Sequence, residues 1–159
     1  KEQPPTGLTW DYRIMLGEGH GSQGLPALDN GLRFIFKQWT PDNTVFEKGL
    51  DALKQHYARL QTVYGVSVPV PETDVNRLGY QHLRAGELKE ALAAMQFNAT
   101  QYPNSANVHD SLGEVYQAMN NLQEAEASFR KAVELGEQVN DPNLAVFRDH
   151  LKNVQQPKQ

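Results

Sequence analysis

The sequence predicts a mainly α-helical protein: two helical hairpins and a capping helix, preceded by a strand-loop-helix that belongs to an α/β domain. Three observations carry this. The C-terminal half echoes itself 34 residues apart, an amphipathic segment precedes the echo, and strand formers run into a glycine-rich loop near the N-terminus. The chain accordingly divides into residues 1–40, residues 41–72 and residues 73–159.

Residues 8–16 are rich in strand formers, with Trp10, Tyr12 and Ile14 alternating onto one side. The loop Gly17-Glu18-Gly19-His20-Gly21-Ser22-Gln23-Gly24 follows. Residues 25–39 then place Leu25, Leu28, Leu32, Ile35, Phe36 and Trp39 on a helical stripe. A single strand leaves its backbone donors and acceptors unpaired. The expectation is therefore that it joins a sheet lying upstream of Lys1, or else pairs with a second copy in a homodimer. Gly19, Gly21 and Gly24 also spell G-x-G-x-x-G between strand and helix. That dinucleotide reading is set aside, because the helix leads through Thr40-Pro41-Asp42 into another helix and not into a second parallel strand.

Residues 43–64 form one amphipathic helix on this reading, with Phe46, Leu50, Leu53, Tyr57, Leu60 and Tyr64 at three- or four-residue spacing. Its polar face mixes Glu47, Lys48, Asp51, Lys54 and Arg59, so it lacks the basic excess of a membrane-surface helix. Residues 65–72 hold Pro69 and Pro71 and read as an extended linker, where the domain division is expected.

In the repeat frame Leu78, Gly79, Ala91 and Asn98 fall opposite Leu112, Gly113, Ala125 and Ala132, while Val75, His82 and Met95 align with His109, Tyr116 and Phe129. Gly79 and Gly113 sit where the two helices of each hairpin must approach closely. Turns fall at Arg84-Ala85-Gly86 and Asn120-Asn121. Pro103 closes the first copy. Glu137 stands in its place in the second, so that helix runs on toward Pro142. A closing helix over 142–154 carries Leu144, Phe147, Leu151 and Val154, with Asp141 as N-cap and Pro142 in the first helical position.

This pattern resembles the tetratricopeptide repeat (TPR). The resemblance implies a groove along the first helix of each pair, formed here by Thr73, Asn76, Tyr80, Leu83 and Arg84, then Asn107, Asp110, Glu114 and Gln117. An extended peptide or protein segment is the implied ligand, with Tyr80 as apolar anchor and Asn76 bonding its backbone. The Lys and Asn pattern of the family's carboxylate clamp is absent, so acidic C-terminal tails are not expected. The alternative is that the repeats only brace a larger fold.

The run from Gly17 to Ser22, with Leu25-Pro26-Ala27-Leu28-Asp29-Asn30-Gly31-Leu32-Arg33-Phe34-Ile35-Phe36 after it, resembles the C-terminal end of an esterase family of α/β-hydrolases. That family includes enterochelin-esterase-like and S-formylglutathione-hydrolase-like enzymes. The likeness implies that His20 is the base of a catalytic triad, that the chain is the end of a bacterial hydrolase, and that the rest of the hydrolase domain is its partner. An imidazole titrating near neutrality suits proton transfer from a serine hydroxyl. None of Ser22, Ser67, Ser105, Ser111 or Ser128 has glycine two places before and two after, so no G-x-S-x-G elbow is present. In the family order serine and acid both precede the histidine. The chain alone is expected to be inactive.

Composition removes several other classes. A net charge of -4 and a pI near 5.7, with no basic stripe, argue against nucleic acid as partner. Zero cysteines removes disulfides and thiolate chemistry, and does not choose between bacterial cytoplasm and periplasm. No apolar run approaches a membrane span. His56, His82, His109 and His150 form no H-E-x-x-H pair, so neither metal nor cofactor is expected. His82 and His109 occupy aromatic slots of the repeat frame, where packing is the expected role.

Overall fold

The computed structural model describes residues 24–156, and all regular structure among them is helical. The expected strand, the loop and His20 lie outside the described residues. The chain divides into two units, Lys1–Thr40 and Pro41–Gln159.

In the first unit α1 spans Gly24–Ile35. It is shorter than the 25–39 of its apolar stripe: Phe36 N–H still donates to the Leu32 carbonyl four residues back, whereas Trp39 N–H donates to that of Phe36, three back, in a tighter turn, both at 2.9 Å. No residue of α1 is buried. Leu25, Leu28 and Leu32 are 81%, 59% and 46% exposed, so the apolar stripe faces outward.

The second unit opens with α2, Asn43–Glu47, and α3, Leu50–Tyr64. Asp42 caps α2, accepting from Val45 N–H at 3.2 Å and from Thr44 Oγ1 at 2.6 Å, and these bonds hold its carboxyl below the usual range. The single helix expected over 43–64 is broken at Gly49, whose φ of +86° is open to glycine alone at little cost. The kink keeps Phe46 buried together with Leu53, Tyr57 and Leu60. Gly65 ends α3 at a positive φ of 70°, residues 66–71 have no regular structure, and the Val70 carbonyl accepts from the Tyr102 hydroxyl at 2.8 Å.

Helices α4 (Glu72–Ala85) and α5 (Leu88–Gln101) form the first hairpin, and α6 (Ala106–Ala118) and α7 (Leu122–Val139) the second. Their turns share one mechanism. Gly86 and Asn120, one 34-residue period apart, adopt positive φ of 76° and 60°, and the next amide reaches back to close the helix end: Glu87 to His82 and Asn121 to Tyr116, each at 2.9 Å. Asn140 repeats the device after α7, with Asp141 N–H on the Gly136 carbonyl at 2.9 Å.

The closing helix α8 spans Leu144–Gln155 and packs on α7. It starts two residues later than the sequence suggests, with Asn143 as its cap residue. Asp141 instead folds the turn before it, its side chain accepting from Asn143 N–H at 2.7 Å.

The hairpin cores are built on glycine. A Cβ on Gly79 would lie 2.5 Å from Met95 Cε, and one on Gly113 would lie 2.6 Å from two ring carbons of Phe129. Both bulky partners are fully buried, each 16 residues after its glycine. The amphipathic segment belongs to this unit. Tyr57 donates its hydroxyl to Asp74, Arg77 stacks 4.0 Å from the centre of the Phe46 ring, and Arg77 Nη2 donates to Asn43 Oδ1 at 2.9 Å.

Two expectations follow. Gly113→Ala lowers unfolding free energy by about 1–3 kcal/mol, because Phe129 is a rigid ring that cannot yield, and Gly79→Ala costs less because Met95 can bend away; urea denaturation separates the two. A gain for Gly113→Ala, as helix propensity alone gives, contradicts the close packing. The Tyr57 phenol is raised above its ordinary value by burial first and then by the Asp74 hydrogen bond and charge. Its contribution is complete below about pH 10 and is lost as pH rises through the folded value. Tyr57→Phe therefore loses less stability than the wild type on going from neutral to strongly alkaline pH.

Candidate functional site

The 34-residue frame brings α4, α6 and α8 side by side, and one polar line crosses all three. Tyr80 on α4 donates its hydroxyl to Glu114 Oε2 on α6 at 2.5 Å, one period away, with Ser111 Oγ at 3.1 Å from the same phenol oxygen. The other carboxylate oxygen of Glu114 faces His150 Nε2 on α8 at 3.7 Å. His150 Nδ1 lies 2.9 and 3.1 Å from the two oxygens of Asp110 on α6, and its ring packs against Phe129 with centroids 5.4 Å apart.

Asp110 and Glu114 are one helical turn apart and so share a face of α6. Asp110 is only 6% exposed. Burial raises its carboxyl above the ordinary range, the bond and charge of His150 pull it back, and the Glu114 charge pushes it up again. Tyr80 is raised by burial and by its bond to Glu114, while Ser111 acts in the opposite sense. Among the described residues the ion pairs to these two carboxylates come from His150 alone. The site is thus two half-compensated acids around one imidazole.

The other predicted groove residues distribute around this line. Asn76 stands one period before Asp110, and its Oδ1 is buried without a hydrogen-bond partner among the described residues. Asn107 donates to Glu72 Oε1 at 3.3 Å. Gln117 is half-buried and Arg84 is exposed. Tyr80 packs on the Ala91, Met95, Leu112 and Val115 cluster, so it is less a free anchor than the sequence suggests.

His150, Ser111 and Glu72 were not among the residues the sequence singled out for the groove. His150 was within reach: one further period carries Tyr116 onto position 150. His82 pairs with Glu87 at 2.6 Å beside an open hollow of about 610 Å³, and His109 Nε2 lies 2.9 Å from the Pro103 carbonyl. Both aromatic-slot histidines thus make polar contacts at local turns.

Neither protein-family models nor curated proteins contain a match to this chain. Among the described residues no helix is long and apolar enough to cross a membrane.

Tyr80→Phe should cost about 1–2 kcal/mol in a denaturant titration, since it strips a carboxylate of a half-buried donor. Tyr116→Phe is the comparison. Its hydroxyl meets the exposed Gln96 amide at 3.1 Å, and removing it should change stability by less than about 0.5 kcal/mol.

Proposed function

We propose that this chain is the C-terminal part of a bacterial serine esterase of the α/β-hydrolase type, carrying the triad base His20 and followed by a TPR-type module. The outward apolar stripe of α1 is the observation that supports this most. Leu25, Leu28 and Leu32 lie on one face directly after the Gly-His-Gly-Ser block, and such a face is what a helix lays against a sheet. In this reading His20 accepts the proton of a serine hydroxyl as it attacks the ester carbonyl, then returns it to the leaving alkoxide. The serine and the acid that orients the imidazole stand upstream of Lys1. A base without its nucleophile does almost no acyl transfer, because triad members act as a unit.

The repeats hold a peptide or protein segment in the same reading. Asn76 supports it, since an amide oxygen with no hydrogen-bond partner among the described residues suits a backbone N–H supplied from outside. The same observation favours the second reading, a free-standing TPR interaction module with no enzymatic role. The coding sequence ahead of Lys1 separates the two: a G-x-S-x-G elbow there supports the esterase, and its absence leaves the module.

The purified 159-residue chain should not hydrolyse p-nitrophenyl esters, and His20-dependent turnover would overturn the assignment of the nucleophile to upstream residues. For the groove, peptides selected from a displayed library on the purified chain should bind Asn76→Ala and Arg84→Glu at least ~10-fold more weakly at unchanged melting temperature. Equal binding by the variants, or no enrichment, removes the peptide groove.

A further inference from the structure

We propose that Asp110, Glu114 and His150 form a binding site for a divalent transition metal of the zinc class, which clamps the closing helix α8 to α6. One donor atom from each of the three side chains lies within 4.8 Å of the others. Two donors about 2.1 Å from a tetrahedral ion stand about 3.4 Å apart. In the structure the two edges of the imidazole are used separately, Nδ1 lying 2.9 Å from Asp110 and Nε2 3.7 Å from Glu114, whereas an ion takes one ring nitrogen only. Metal binding therefore requires the three side chains to close from a spread of up to 4.8 Å so that one ring nitrogen meets both carboxylates, with water completing the shell.

The chemistry of the donors selects the metal. An imidazole nitrogen with two carboxylate oxygens suits zinc, cobalt or nickel better than calcium or magnesium, which take oxygen ligands alone. The surroundings are those of a supported site. Tyr80 holds Glu114 Oε2, which leaves Oε1 turned toward His150, and Ser111 sits against the Tyr80 oxygen. Phe129 packs against the imidazole ring, with centroids 5.4 Å apart.

Charge gives the second argument. Asp110 is nearly buried, Glu114 is half-buried beside it, and no lysine or arginine among the described residues pairs with either. A single imidazole cannot balance two carboxylates away from water, whereas a divalent cation does. The arrangement also escapes the usual search for paired histidines. One ligand comes from α8, 40 residues after Asp110 in sequence, and the two acids lie on α6.

The test uses the untagged 159-residue chain, stripped with chelator and titrated with Zn²⁺ by calorimetry and with Co²⁺ by visible absorption. The proposal predicts one equivalent bound, visible d–d bands with Co²⁺, and a melting temperature raised by at least ~3 °C in excess Zn²⁺. His150→Asn and, independently, Glu114→Gln should weaken Zn²⁺ at least ~10-fold, while His82→Asn, which alters the other histidine–carboxylate pair, leaves affinity unchanged. Absence of binding in the wild type overturns the proposal, as does equal affinity in both cluster variants. Loss of binding only in His82→Asn places the ion elsewhere and overturns it equally. Glu114→Gln keeps the shape of the side chain, so a folding defect in His150→Asn does not decide the outcome.

Discussion

Two missing side chains hold the repeat unit together. At Gly79 and Gly113 the helix backbone comes so near its partner that Met95 and Phe129 occupy the space a Cβ needs. That approach sets the distance between the helices of each hairpin, and because both contacts recur at the same offset, it also sets how one hairpin follows the next. The line from Tyr80 through Glu114 to His150 depends on this spacing. If α6 stood further from α7, the Phe129 ring could not pack against both Gly113 and His150.

The polar line is costly to bury and is made tolerable by pairing. Asp110 loses most of its hydration, and among the described residues the imidazole of His150 offsets part of that loss. Glu114 keeps one oxygen on a tyrosine hydroxyl and turns the other toward the same histidine. Three helices are thereby joined by side chains with specific chemistry, where apolar residues would have given adhesion alone. Recognition and metal chemistry both become available on such a face, because its groups are already desolvated and oriented.

The sequence made the repeats legible for a physical reason. Gly79, Gly113, Ala91 and Ala125 are small because helices meet there, and small residues at a fixed period cannot be explained by composition. The break at Gly49 was not legible in the same way: its apolar neighbours continue in helical register through it, and only the backbone reveals positive φ. The start of α8 shifted because Asp141 spends its side chain on a turn and leaves Asn143 at the helix entrance. Within the site, Tyr80, Asp110 and Glu114 followed from the frame, whereas His150 belongs to a helix that looked like a mere cover. The residues that would bear the hydrolase chemistry rest on the resemblance of the Gly-His-Gly-Ser block, and the support that α1 lends them is the exposure of its leucines.

The dependence on close glycine packing is tested most directly by a double-mutant cycle on Gly113→Ala and Phe129→Leu, read as unfolding free energy. A smaller, flexible Leu makes room for the added methyl, so the account predicts that the double variant is more stable than the sum of the two losses by about 1 kcal/mol or more. Additive losses would mean that Gly113 and Phe129 do not meet, and the spacing of the whole polar line would lose its foundation.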